Sequence, residues 1–348
     1  MAYFFKLPPI TDLTLVQQAA LNEPNAIAIS GGPGTGKSVV SLWRHIKNYG
    51  EGSRKSLLLT YTKTLEAYLA ASAKSEAEYA NNLAERKRII ESSHNVNRTY
   101  KWLHNQKSNY LEIIVDEAQD VNLHNYRELK KYTSLLSYGA DFGQSMYLTL
   151  EELRELETGL KKLFKNRDYL LDENFRNSIE IVRFIKALFP NKKISPGRFN
   201  GPLPILILSN GNNQKEFQAI VDIINQYRSN SHNIAILLPL RSDVDRFYQI
   251  LSTKISCSMY YEGMEFNEID NVHITTFKSA KGLEFDTVII PEFQNMVNNI
   301  SRLRVIDESD YYVALTRAKR NLYLISNSTP EFLEKSEQQK STYIKETL

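Results

Sequence analysis

Cysteine is almost missing from this chain of 348 residues, where Cys257 stands alone. One thiol excludes an intramolecular disulfide and a Cys-rich metal site, and the six histidines fall at no ligand spacing. A reducing, cytoplasmic setting is therefore expected. Long apolar runs are missing too: nothing approaches the roughly 20 residues of a membrane span. The opening MAYFFKLPPI meets Lys6 and the Pro8-Pro9 pair too early for a signal peptide, so no membrane partner is expected. Charge of one sign does not accumulate, since 43 basic against 40 acidic residues leave a net +3. That balance allows a local basic patch and gives no general attraction to polyanions. No repeat or low-complexity tract is present. With 42% hydrophobic residues the chain can bury a large core, and its length favours two domains over one.

Glycine is sparse as well, 14 residues in all, yet residues 31–38 read GGPGTGKS. This stretch follows an apolar run, AIAIS at 26–30, and precedes a helical pattern through Val39, Val40, Leu42, Trp43 and Ile46. Strand, glycine loop and helix in that order give the pattern GxxxxGK[ST] the meaning of a phosphate-binding loop. Gly31, Gly32, Pro33, Gly34, Thr35 and Gly36 let backbone N–H groups turn toward phosphate oxygens with no Cβ in the way. The positive end of the following helix then faces the same anion. Lys37 is expected at the β- and γ-phosphates and Ser38 on Mg2+.

Further along, LTLVQQAAL at 13–21 reads as a short helix, LLLTYT at 57–62 as a buried strand, and 70–91 as polar solvated helix. The second strong signal is LEIIVDEAQD at 111–120. An apolar strand ending in Asp116 and Glu117 puts two carboxylates at the C-terminal edge of a parallel sheet, where ligands of such folds sit. Asp116 is expected to hold Mg2+ with Ser38, and Glu117 to orient and deprotonate an attacking water. The C-terminal half alternates again: strands at 204–209, 233–239, 288–291 and 322–326, helices at 216–227 and 243–251, and a polar tail from Asn327 read as a terminal helix or frayed end.

DEAQD, with the segments around it, resembles the UvrD/Rep class of superfamily 1 helicases, and the similarity runs as an ordered motif series over nearly the whole chain. The resemblance implies an α/β fold of two RecA-like P-loop domains with mainly parallel sheets and an ATP site in the cleft between them. Residues 1–190 would form the ATP-binding domain and 191–348 the second, with the division in the proline- and glycine-rich stretch FPNKKISPGRFNGPLP. It places Gln17 where the family recognises adenine, and TYT with Tyr61 and Thr62 where single-stranded DNA is gripped. Thr99 and Tyr100 fall on the next DNA-contacting motif. ADFGQSMY at 140–147 is similar to GDxxQSIY, making Gln144 a γ-phosphate sensor and Tyr147 a base-stacking ring. LDENFRNS at 171–178 is similar to LxxNYRS, with Phe175 stacking on adenine and Arg176 on the γ-phosphate. ITTFKSAKGLEFD at 274–286 resembles TLHSAKGLEF, giving Thr276 and Lys278 to nucleic acid and Gly282 and Glu284 to the nucleotide. YVALTRAK at 312–319 would supply Arg317 as the arginine finger.

The sequence also departs from that family. Larger relatives carry accessory domains after the Thr99-Tyr100 motif and before Thr276, and neither interval here is long enough for one. Val39, Lys278 and Thr149 stand where an arginine, a histidine and a DNA-stacking tryptophan are common; losing such a ring removes about 1 to 3 kcal/mol of stacking per base. The implied function is an ATP-dependent 3′ to 5′ translocase or helicase on single-stranded nucleic acid, with DNA expected. The alternative is an ATPase switch or sensor subunit working with a protein partner such as a nuclease.

Overall fold

The computed structural model describes residues 3, 7–52, 55–105, 108–142 and 149–348. Two compact units divide the chain, Phe5–Asp172 and Glu173–Leu348, the latter joined by Tyr3 from the segment Met1–Phe4. The division therefore falls 18 residues before the expected 190/191. Its cause lies in the segment just after it: Ser178 N donates to Lys319 O at 3.1 Å and Ile179 N to Phe199 O at 2.9 Å, which commits the following helix to the C-terminal unit.

In the N-terminal unit the strands are β1 (Ile27–Gly31), β2 (Ser56–Thr60), β3 (Val96–Arg98), β4 (Tyr110–Val115), β5 (Thr133–Ala140) and β6 (Arg167–Leu171). The helices are α1 (Leu15–Asn22), α2 (Lys37–Gly50), α3 (Lys63–Glu76), α4 (Leu83–His94), α5 (Thr99–Asn105), α6 (Leu123–Leu129) and α7 (Leu150–Leu163). All pairings in the sheet β3-β2-β4-β5-β1-β6 are parallel. Period-two alternation decides what each residue covers. Leu57, Leu59, Ile113 and Val115 pack with Trp102, Tyr126 and Leu136 on one face, while Leu58 and Ile114 pack with Leu42, Ile46, Leu65 and Leu69 on the other. With both faces covered, β2 is apolar at successive positions, the composition of a parallel central strand. One edge of this sheet then carries the C-terminal ends of β1, β4 and β5, and with them residues 31–38, 116–117 and 141.

The C-terminal unit holds β7 (Ile205–Leu208), β8 (Ile234–Leu238), β9 (Ser258–Tyr260), β10 (Val272–Thr276), β11 (Phe285–Ile290), β12 (Ala318–Ser326) and β13 (Ile344–Thr347). Its helices are α8 (Ile179–Leu188), α9 (Asn213–Tyr227), α10 (Arg241–Leu251), α11 (Met296–Arg302), α12 (Glu308–Leu315) and α13 (Glu337–Lys340). The sheet runs β13-β7-β12-β11-β8-β10-β9, again all parallel. Ile220, Ile224, Ile236, Val244, Phe247, Ile274 and Ile289 sit in its core. The polar tail differs from expectation: β13 adds to β7 at the sheet edge, with Ile344 N donating to Pro204 O at 2.8 Å. All four of its residues are exposed, so backbone pairing holds the strand and no apolar alternation announces it. Among the described residues no helix is long and apolar enough to cross a membrane.

Candidate nucleotide site

The loop after β1 is built by two close approaches. A Cβ on Gly31 would lie 2.5 Å from Leu171 O and 2.6 Å from Thr35 Oγ1, so only glycine fits against β6. Gly36, the N-cap of α2, has φ 88°, in the left-handed region that side chains avoid. Lys37 opens α2 with 9% of its surface exposed, and its Nζ donates to Gly31 O at 2.9 Å and Gly32 O at 2.8 Å. Asp141 Oδ2 stands 3.9 Å from the same ammonium. Gln17 braces the loop from outside: its Oε1 accepts from Thr14 N at 2.9 Å, and its Nε2 donates to Thr35 O at 3.0 Å. Its side-chain amide is thus committed to the N-cap of α1 and to the loop, in the place where the resemblance puts an adenine contact.

Asp116 follows β4 at 1% exposure, fixed by its own N–H donating to Leu59 O at 2.7 Å. Its Oδ2 has no hydrogen-bond partner. Burial pushes this carboxyl well above the usual range and the neighbouring Glu117 charge pushes the same way, against the Ser38 hydroxyl and Lys37. A buried carboxylate oxygen with no partner and a raised proton affinity is short of a cation. Among the described residues no group of three or more His, Cys, Asp or Glu could hold a metal by itself. A cation here would rest on Ser38, Asp116 and the oxygens of a phosphate ligand. Glu117 sits at φ 54°, a backbone conformation uncommon for a residue with a side chain.

Gln119, fully buried, holds that turn: its Nε2 donates to Glu117 Oε2 and its Oε1 accepts from Asp141 N at 2.9 Å. Sequence reasoning gave neither Gln119 nor Asp141 a role, although both stand inside motifs already singled out. Gln144 and Tyr147 lie outside the described residues.

The C-terminal unit assembles a second group. Arg176 Nε donates to Glu284 Oε2 at 3.0 Å, and Lys319 Nζ reaches Glu284 Oε1 at 3.1 Å. Burial drives the Glu284 carboxyl upward, but Lys319 and Arg176 outweigh it and hold the group at about 2. Phe175 is 38% exposed, with the Arg198 guanidinium 5.0 Å from its ring centre and paired to Glu173 at 3.0 Å. Gly282 takes φ 84° in the turn before Glu284. Arg317 is buried: Nε donates to Val313 O at 3.0 Å, Nη1 to Leu283 O at 3.2 Å and Nη2 to Thr316 Oγ1 at 3.0 Å.

The residues expected on nucleic acid hold structural posts as well. Thr62 caps α3 by accepting from Leu65 N at 3.2 Å, Thr99 donates to Thr60 O at 3.3 Å, and Thr276 accepts from Ser279 N at 3.2 Å. Tyr61 packs, partly buried, against the core face of β2 and β4. Lys278 lies 3.9 Å from Asp310 Oδ1. Among the described rings of this group the exposed one is Tyr100, 70% accessible, with its centre 4.2 Å from that of the His104 ring.

Comparison with known proteins agrees with this geometry. Residues 254–329 match the family model of the UvrD-like helicase C-terminal domain, and residues 15–138 match that of an AAA domain. The RecBCD enzyme subunit RecB of Chlamydia pneumoniae is 37% identical over 83 residues, 24% of this chain and 7% of that protein. The putative ATP-dependent DNA helicase R568 of Acanthamoeba polyphaga mimivirus is 25% identical over 242 residues, 61% of this chain and 34% of that protein. The chain thus spans about a third or less of these relatives. In fold it is similar to S. cerevisiae Dbp5 bound to RNA and ADP BeF3, with a TM-score of 0.59 at 11% identity, covering 97% of this chain and 90% of that one. The two units are RecA-like. The phosphate loop and paired carboxylates fall inside the AAA-domain match and the segments at 274–286 and 312–319 inside the match to the UvrD-like helicase C-terminal domain, and together with the two helicase relatives these matches support a UvrD-like helicase of superfamily 1.

Proposed function

We propose that this protein is an ATP-hydrolysing motor on single-stranded nucleic acid, with DNA as its track and 3′ to 5′ as its direction. The observation that carries the reading is the convergence of the Lys37 loop, the cation-seeking Asp116 and the Gln119-held Glu117 at one sheet edge. ATP use and nucleic-acid binding go with the family. Lys37 exchanges the Gly31 and Gly32 carbonyls for β- and γ-phosphate oxygens, and the N-terminus of α2 faces the same charge. Mg2+, held by Ser38 and Asp116, would supply charge neutralisation on those oxygens. Glu117 takes the proton of a water whose oxygen attacks the γ-phosphorus as the bond to the β–γ bridging oxygen breaks and leaves with ADP. Arg176 and Arg317 balance the charge that develops on the transferring group. Phe175 supplies a ring for adenine, and Tyr61, Thr62, Thr99, Thr276 and Lys278 serve the nucleic acid, to which the resemblance adds Tyr147.

Single-stranded oligonucleotides should raise the ATPase rate. Glu117→Gln should still bind ATP yet lose about 100-fold to 10,000-fold in turnover. An unstimulated wild type, or near-normal turnover in that variant, sinks the motor assignment. A second reading rests on the connections from α5 to β4, residues 106–109, and from β9 to β10, residues 261–271, which have no room for an accessory domain. On that reading the chain is an ATP-driven switch serving a protein partner such as a nuclease. Strand displacement measured in the same assay separates the two, because unwinding by the chain alone excludes the switch.

A further inference from the structure

Four consecutive carbonyls run past Arg317, and other segments of the C-terminal unit hold every one. Thr316 O and Ala318 O accept from the two N–H groups of Asn177 Nδ2, at 3.0 and 2.6 Å. Arg317 O accepts from Phe285 N at 2.9 Å, and Lys319 O from Ser178 N at 3.1 Å. Asn177 is fully buried, and its remaining acceptor, Oδ1, takes a hydrogen bond from Asn174 Nδ2 at 3.0 Å. Asn174 Oδ1 in turn accepts from the backbone N–H of Arg176 at 2.9 Å and of Asn177 at 3.0 Å. Every side-chain donor of Asn177 is thus spent on the carbonyls of the two residues that flank Arg317. The residue immediately before Asn177 is Arg176, whose guanidinium shares Glu284 with Lys319. A shorter side chain cannot span two carbonyls, and an Asp in the same shape would set a carboxylate oxygen against them.

We infer that Asn177 is the positioning residue for Arg317, its carboxamide fixing the backbone from which that guanidinium projects and registering it against Arg176. The inference rests on the proposed ATPase, in which both arginines act on the γ-phosphate. Positioning of this kind shows in the step where the γ-phosphate moves and leaves binding of a nucleotide without that phosphate alone. A displacement of about 1 Å in such a group costs on the order of 100-fold in rate.

Four forms of the full chain test it: wild type, Asn177→Asp, Arg317→Ala and the double variant, each assayed for DNA-stimulated ATPase and for MgADP affinity. Asn177→Asp should lower kcat by about 100-fold with KM for ATP and MgADP affinity little changed. The double variant should be no slower than Arg317→Ala, because Asn177 acts only through that residue. Asn177→Ser, which keeps a single donor, should fold where the Asp variant does not, and should show a smaller kcat loss of the same kind. Multiplying losses in the double variant, or a fall in MgADP affinity that tracks the fall in kcat, overturns the inference and makes Asn177 a general structural residue. An Arg317→Ala variant as fast as wild type overturns it together with the role given to Arg317, while DNA-stimulated hydrolysis stands. A wild type without ATPase activity refutes the functional reading itself.

Discussion

His45 is enclosed in α2 with both ring nitrogens engaged, Nδ1 with the Ser56 hydroxyl at 2.9 Å and Nε2 with Ser92 O at 2.9 Å. The carbonyl can only accept, so Nε2 carries the proton and Nδ1 accepts from Ser56. Burial lowers the imidazole to about 4, against the Ser92 carbonyl and the Glu112 charge, both of which favour protonation. The unfolded chain takes a proton near 6.5 and the folded one does not until about 4, so stability falls as pH drops through that interval. At pH 5 the loss from this one group is about 2 kcal/mol. His45→Gln preserves one donor and one acceptor and removes the titration. Urea unfolding at pH 7 and pH 5 should therefore show the stability gap between wild type and variant narrowing by about 2 kcal/mol. A gap independent of pH places His45 in contact with solvent. In the sequence nothing marks His45 as buried, because its neighbours Arg44 and Asn48 make that side of α2 look solvated.

That polar side of α2 is a bolt between elements. Arg44, 2% exposed, binds Glu112 Oε1 at 2.7 Å through Nε, Glu23 O at 2.7 Å through Nη1 and Asn25 O at 2.8 Å through Nη2. Glu112, fully buried in β4, also accepts from Asn48 Nδ2 at 2.9 Å and from the Ser137 hydroxyl of β5. The helix that begins with Lys37 is thereby tied to the strand that leads directly into Asp116. Removing one partner strands the other charge out of water, so Glu112→Ala should cost about 3 to 5 kcal/mol. The paired change Arg44→Met with Glu112→Leu should cost far less than the sum of the single changes. Additive losses by urea denaturation would mean the two groups are not coupled. Glycine spacing and apolar runs made β1, β2, β4 and the phosphate loop legible beforehand. Glu112 carries no mark in the sequence, because one acid inside LEIIV does not break a strand pattern. Strand β13 was invisible for the opposite reason, having no apolar face to advertise.

At the scale of the whole molecule the two sheets are built alike and used differently. Glu117 and Glu292 share the same left-handed backbone, φ 54° and 53°, each just after a buried parallel strand and each opening a short 3₁₀ turn. Where the first unit has Asp116 the second has Pro291, and both carboxylate oxygens of Glu292 are taken by Arg246 at 2.9 Å. At this turn the second unit therefore repeats the backbone of the first without the Asp116 carboxylate. The phosphate loop lies in the first unit, as do both tryptophans, Trp43 and Trp102, which are buried there. Tryptophan emission thus reports unfolding of the nucleotide-binding unit alone, while far-UV circular dichroism reports both sheets. Each unit has its own hydrophobic core, so the two signals should give different urea midpoints. MgADP at 100 times its Kd adds about 2.7 kcal/mol to the state that binds it. That gain should move the emission midpoint upward and leave a second circular-dichroism transition in place. Coincident midpoints that shift together on adding MgADP would instead show a single cooperative unit, with the nucleotide stabilising both sheets at once.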